Sequence, residues 1–215
     1  MNIIIASGNK GKLKEFTTLF SGVTTKPSRE FNLVAQSELG IESCEEPAST
    51  FVENAILKAR HACAEALARG HEGAALADDS GLCVNALSGA PGIFSARFAG
   101  MHGRLPAEGQ SVDAVNIEEL LHQMQGIDGN RRHASFYCAL ALLRHADDPA
   151  PLVACGRWHG RILDAPVGDS GFGYDPVFFV PDLGKTAAEL SPGQKNALSH
   201  RGQALRLLAL QLPGL

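Results

Sequence analysis

Five short runs in this chain combine residue types that could do chemistry. The first is Ser7-Gly8-Asn9-Lys10-Gly11-Lys12. Between a strand and a helix, such a run offers unpaired N–H groups and a positive dipole end to a phosphate. Its glycines allow close backbone approach, its lysines add charge, and Ser7 and Asn9 add hydrogen bonds. It fits neither G-x-x-x-x-G-K-[ST] nor G-x-G-x-x-G, so a tight turn with solvated lysines is the plain alternative. The second is Asp78-Asp79-Ser80-Gly81. Adjacent carboxylates repel and are costly to bury without a cation, and magnesium takes carboxylate, water and phosphate oxygens. One carboxylate of the pair can ligate a metal while another orients water. The alternative is an exposed acidic turn, which the apolar runs on each side disfavour.

The third run is Glu45-Glu46 with Thr50-Phe51-Val52-Glu53-Asn54. Thr50-x-x-Glu53 is a capping box, so Glu53 has a structural role at hand. Glu45 and Glu46 lie in a loop and are freer to ligate metal. Lys58 is one turn beyond Asn54 and shares its face. The fourth is Gly171-Phe172-Gly173-Tyr174-Asp175-Pro176. Glycines beside an aromatic expose its ring for stacking by a planar base, although Phe172 and Tyr174 also suit a core. The fifth is Ser199-His200-Arg201 with Lys195 nearby. It is rich in donors for phosphate or a base carbonyl, or else is a helix cap followed by surface residues. No nucleophilic triad is evident.

The elements that must position these groups follow from periodicity. Ile3 to Ala6 reads as a buried strand, Leu13 to Phe20 as a helix, and Phe31 to Ala35 as a weak strand. A helix is expected from about Thr50 to Ala68. Ala74 to Ala77 reads as a strand ending at Asp78 to Gly81, with Leu82 to Ala86 continuing as a strand or short return. Ser88 to Gly109 reads as a long structured loop, and Val112 to Gln125 as a helix. His133 to Arg144 and Leu152 to Leu163 are strands able to pair as a hairpin. Val177 to Val180 is a short strand, and Gln194 to Leu212 is largely helical. Isolated strands and a hairpin interleaved with helices predict an α/β fold with a mixed sheet.

Bulk properties exclude other classes. The 215 residues suit one large domain or two lobes sharing a core. No stretch reaches the roughly 20 apolar residues of a membrane span, and the Met1-Asn2-Ile3 start does not read as a signal peptide. The net charge of -4, without a long basic run, argues against non-specific nucleic-acid binding. Five scattered cysteines form no C-x-x-C pair, which points to a reducing, cytoplasmic setting.

Together, and in this order, the motifs S-G-N-K-G-K, E-E-P-A-S-T-F-V-E-N-A-I-L-K-A, A-D-D-S-G-L, G-A-P-G-I-F-S-A-R, G-F-G-Y-D-P-V-F, K-T-A-A-E-L and S-H-R-G-Q-A-L resemble the inosine/xanthosine triphosphate pyrophosphatase family, in its bacterial branch. The resemblance runs from Ile3 to about Leu208. It implies an elongated mixed β-sheet with flanking helices and two lobes around a central nucleotide-binding cleft. It also implies a homodimer and dependence on Mg2+. By motif, Ser7, Gly8, Asn9, Lys10, Gly11 and Lys12 would hold the triphosphate. Glu45 and Asp79 would serve the metal, with Asp79 also the catalytic base. Ser80, Phe172, Gly173, Tyr174, Asp175, Lys195, His200 and Arg201 would bind substrate. Ser7 stands where the family often has Thr, and the segments around Ala68 to Gly73 and Arg104 to Val112 are longer than usual.

The implied reaction is attack of water on the α-phosphorus of a non-standard purine nucleoside triphosphate (ITP, dITP or XTP), with pyrophosphate leaving. Two other readings make different predictions. A pyrophosphatase of modified pyrimidine nucleotides would differ in its turnover across bases. A regulator that has lost catalysis would bind without turnover, and the presence of Asp78, Asp79 and Glu45 argues against it.

Overall fold

The structure, a computed structural model, describes residues 2–7 and 31–212. Gly8, Asn9, Lys10, Gly11 and Lys12, and the helix expected over Leu13 to Phe20, lie outside the described residues. In chain order the elements are β1 (Asn2–Ala6), β2 (Asn32–Ala35), α1 (Phe51–Ala68), β3 (Ala74–Val84), α2 (Phe98–Met101), α3 (Val112–Gln123), β4 (His133–Leu143), β5 (Leu152–Ile162), β6 (Phe178–Val180), β7 (Lys185–Thr186), α4 (Pro192–Leu198) and α5 (His200–Ala209). Single 3-10 turns fall between them.

The strands form a mixed seven-stranded sheet in the order β2-β1-β3-β4-β5-β6-β7. β1 runs parallel to both β2 and β3, with Ile3 opposite Leu33 on one side and Ala74 on the other. The unbroken Ile3-Ile4-Ile5 run is what a strand covered on both faces requires. At the other end β6 is antiparallel to β5 and to β7.

The chain divides into two compact units. The first comprises Met1–Asp79, Cys138–Gly156 and Arg201–Leu215. Ile3, Ile5, Leu76, Leu140, Leu142, Leu205 and Leu208 form its core. Thr50 caps α1 by accepting from Glu53 N–H, and its hydroxyl donates a hydrogen bond to the Glu53 carboxylate in turn. Ala55, Ala59, Ala62 and Ala66 line the buried face of α1. These short side chains let the helix lie close to β1, against which it packs. In the turn after β4, the buried Asp148 carboxylate takes two hydrogen bonds from the Arg144 guanidinium and one each from Arg144 N–H and Ala150 N–H.

The second unit comprises Ser80–Tyr137 and Arg157–His200. Its core joins Leu82, Val84, Phe136, Trp158 and Phe178 to Leu120 of α3. Ser111 caps α3 by accepting from Ala114 N–H.

The structure corrects or refines three expectations, and the C-terminal stretch is largely helical as expected. Asp78 to Gly81 does not end a strand: β3 runs on to Val84. Leu82 and Val84 are both fully buried, so core packing overrides the turn preference of Asp-Asp-Ser-Gly. The segment from Ser88 to Gly109 contains a 3-10 turn over Gly92–Arg97 and then α2. The C-terminal helix is broken at Ser199, whose backbone is extended and ends α4 before α5 begins.

Candidate active site

In the first unit, chemistry gathers around Asp79. Successive strand residues face opposite ways, so the two neighbouring aspartates meet different cations. Asp79 Oδ1 lies 3.1 Å from Lys58 Nζ, and Oδ2 accepts from Asn54 Nδ2 at 3.2 Å. Asp78 Oδ2 lies 3.3 Å from Arg201 Nη2, with both side chains buried. Asn54 and Lys58 stand four residues apart on α1, so one helix face serves one carboxylate. Lys58 Nζ also reaches Glu46 Oε1 at 3.3 Å. Asn54 is fully buried, and its Oδ1 accepts from Ala48 N–H at 3.1 Å, which pins the acidic loop. Burial alone would lower the Lys58 pKa. Asp79, Asp78 and Glu46 outweigh it and raise that pKa above the ordinary lysine value.

Glu45, by contrast, is exposed in the loop, and it is Glu46 that faces Lys58. Ser7 follows β1 and donates its N–H to Ile5 O at 3.0 Å. Arg201, the second residue of α5, is 2% exposed.

In the second unit, Phe172, Asp175 and Lys195 come together. Asp175 accepts from Phe172 N–H at 2.9 Å and pairs with the Lys195 ammonium. Lys195 Nζ lies 4.5 Å from the centre of the Phe172 ring. That ring is 37% exposed, while Tyr174 and Asp175 beside it are buried. Gly171 has a φ of +84°, and a Cβ there would collide with the Asp175 carboxylate, so only glycine fits. Burial, helped by the charge of Asp113, pushes the Tyr174 phenol up. Its hydroxyl donates to Ser95 O at 2.9 Å, so Tyr174 is an anchor of the loop. His200 is 7% exposed and stacks on Phe136, with ring centres 5.0 Å apart. Ser80 is half-buried.

Among the described residues, no group of three or more His, Cys, Asp or Glu side chains stands ready to hold a metal ion. The donor chemistry nevertheless fits a hard divalent cation. Asp79 and Glu46 share a single ammonium, and magnesium characteristically binds one or two carboxylates with substrate phosphates and water filling the rest.

Asn54 and Lys58 were named in the sequence without a role. A clear signal was available for Asn54, an amide on the apolar face of an amphipathic helix, where a buried polar group must find partners. Asp113, whose carboxylate accepts from Gly173 N–H at 2.7 Å, was not singled out. An acidic residue in a first helical turn is ordinary dipole chemistry and carries no signal of its own.

The fold defines the class: an α/β protein with a mixed seven-stranded sheet, whose two units each hold a buried carboxylate paired with a lysine. The chain belongs to the Ham1 family, whose model matches residues 3–211. It is 52% identical over 210 residues to the dITP/XTP pyrophosphatase of Burkholderia pseudomallei, covering 98% of this chain and 92% of that one. It is 50% identical over 206 residues to the dITP/XTP pyrophosphatase of Yersinia pseudotuberculosis, covering 96% and 95%. The HAM1 protein from Coxiella burnetii has the same fold, with a TM-score of 0.84 at 43% identity over the whole of both chains.

Proposed function

We propose that this protein hydrolyses dITP, ITP and XTP to the nucleoside monophosphate and pyrophosphate, removing deaminated purines from the nucleotide pool. The observation that carries this reading is the buried Asp79 carboxylate held between Lys58 and Asn54. It sits in a chain about half identical to the dITP/XTP pyrophosphatases of Burkholderia pseudomallei and Yersinia pseudotuberculosis.

In this reading Glu45 and Asp79 serve the metal, with Glu46 beside them. These carboxylates would hold a divalent ion, magnesium in our proposal, which would neutralise phosphate charge and lower the pKa of water. Asp79 orients the attacking water and takes its proton. The water oxygen bonds to the α-phosphorus, the bridging P–O bond breaks, and pyrophosphate leaves with the bridging oxygen. Asn54 fixes the direction of Asp79, and Lys58 offsets the negative charge that gathers there. Ser7, Gly8, Asn9, Lys10, Gly11 and Lys12 hold the triphosphate. Such a reaction depends on positioning and charge more than on covalent catalysis.

Phe172 stacks on the base, with Gly173, Tyr174 and Asp175 forming its loop, and Ser80 contributes a hydroxyl to substrate binding. Lys195, His200 and Arg201 offer donors to the 6-carbonyl of hypoxanthine or xanthine. Adenine presents an amino group at that position, and a donor facing a donor is strongly rejected.

We further propose that the two units are lobes of one pyrophosphatase domain and that the protein is a homodimer, on the family likeness. No membrane or nucleic-acid partner enters this reading. No helix among the described residues is long and apolar enough to cross a membrane. No disulfide joins the five cysteines, which fits the cytoplasm. The test is pyrophosphate release from dITP, XTP, dATP, dGTP and modified pyrimidine triphosphates, with magnesium and with chelator. Release from dITP and XTP only with metal supports the reading, and equal turnover of all bases or of none overturns it.

A further inference from the structure

Helix α1 meets the acidic loop that precedes it along one face. Asn54, Lys58 and His61 stand at i, i+4 and i+7 of the helix, so their side chains form one row. The loop passes this row in the opposite direction. Asn54 Oδ1 accepts from Ala48 N–H at 3.1 Å, Lys58 Nζ lies 3.3 Å from Glu46 Oε1, and His61 Nε2 donates to Glu42 O at 3.0 Å. The same row reaches β3, where Asn54 Nδ2 and Lys58 Nζ donate to the two oxygens of Asp79.

These rungs differ in kind. Asn54 and His61 bond to the loop backbone, so they hold the loop whatever its carboxylates bind. Asn54 also keeps one oxygen of Asp79 through a neutral amide. Lys58 is the rung that meets carboxylates of two separate elements with a full charge, one in the loop and one on β3. A compact ammonium within ion-pair distance of two acids lets them stand together, which is the electrostatic task of a metal ion at such a place. Its four-carbon stem is flexible, so the charged head can swing away while the helix stays where it is.

Resting on the reading that Asp79 and the acidic loop hold a divalent ion, we propose that Lys58 is the stand-in for that ion in the free protein. Its ammonium has to leave the carboxylates before a metal can take them. A displaced charge is costly unless it finds another anion, and the triphosphate is the anion that arrives with the metal. Lys58 thereby couples the two ligands. Metal alone binds weakly, metal and nucleotide bind together, and each tightens the other by the same factor. Asn54 and His61 keep Asp79 and the loop in place through the exchange.

Titration of the full chain with Mn2+, followed by electron paramagnetic resonance, tests the proposal, with and without a dITP analogue whose α-β bridge is methylene. Wild type is expected to bind Mn2+ weakly alone and about tenfold tighter with the analogue. Lys58→Met keeps the stem and removes the charge. It should bind Mn2+ alone about tenfold tighter than wild type, and the analogue should add much less. Lys58→Gln, uncharged but able to donate to Asp79, should also bind Mn2+ tighter than wild type. For a destabilised variant a thermal melt gives the same answer, because its Tm should rise more with Mn2+ than that of wild type. Mn2+ binding no tighter in either variant than in wild type overturns the proposal, as does an undiminished effect of the analogue in Lys58→Met. Failure of wild-type protein to cleave dITP overturns the functional reading instead, and the metal titrations tell the two failures apart.

Discussion

Lys58 Nζ lies 3.1 Å from Asp79 Oδ1, so helix α1 and strand β3 meet in a single charge pair whose side chains are both largely buried. Asn54, one turn earlier on α1, takes the other oxygen of the same carboxylate. The direction of Asp79 is therefore fixed from two points on one rigid element, as the proposed aiming of a water molecule requires.

Asp79→Asn keeps the shape and removes the charge. Its turnover of dITP is expected to fall about a hundred- to ten-thousandfold, the usual worth of a positioned base, with Tm within a few degrees of wild type. Steady-state kinetics beside a thermal melt measures both. A folded variant with near wild-type turnover would remove Asp79 from the mechanism.

Asn54→Asp is isosteric and places a second carboxylate against Asp79 in a fully buried position. The donor to Asp79 is lost, while the acceptor for Ala48 N–H is kept. Because like charges at close range disfavour each other, both kcat and stability should drop, stability by about 2 kcal/mol or more. A melt and a dITP assay of this variant should therefore both move. Normal kcat at a normal Tm would show that the amide is only filling space.

Arg201→Ala tests base reading against support of Asp78. If Arg201 meets the 6-carbonyl, kcat/KM for dITP should fall about ten- to hundredfold and that for dATP much less, narrowing their ratio. The same substitution removes the guanidinium beside Asp78, and Tm should fall as well. Equal losses for both nucleotides would assign Arg201 to phosphate binding or to the fold.

Asp148 gives a pH prediction far from the chemistry. Hydrogen bonds from Arg144 outweigh burial and hold its carboxyl well below the usual carboxylate range. A group whose pKa is depressed by folding contributes stability above its unfolded pKa, near 3.9, and loses it as the pH falls below that value. Asp148→Ala should thus lower Tm at neutral pH by about 4–8 °C, from a loss of about 2 kcal/mol. The gap to wild type should hold from pH 6 to about 4 and narrow as the pH is taken below about 3.9. A gap independent of pH would show that the pair is not what Asp148 contributes.

The parts of the fold readable from sequence were those written in local periodicity. The Thr50 cap, the alanine face of α1 and the Ile3-Ile4-Ile5 strand all carry their partners within a few residues. Asp78-Asp79-Ser80-Gly81 misled because its turn preference is local, whereas the burial that keeps it in β3 comes from Leu82 and Val84 in the core. The candidate site divides in the same way. Asp79 and Phe172 stood out by residue type and neighbours. That Glu46 rather than Glu45 faces Lys58, that Arg201 is already engaged by Asp78, and that Asp113 holds Gly173 depend on contacts between segments distant in sequence. Periodicity holds no record of those.

Hydrolysis in water enriched in oxygen-18 tests the central claim most directly. A single turnover of dITP with magnesium, followed by mass analysis of both products, reports which phosphorus the water attacks. Attack on the α-phosphorus, aimed by Asp79, predicts the label in dIMP and none in pyrophosphate. Label in pyrophosphate, or release of single phosphates in its place, would contradict the account.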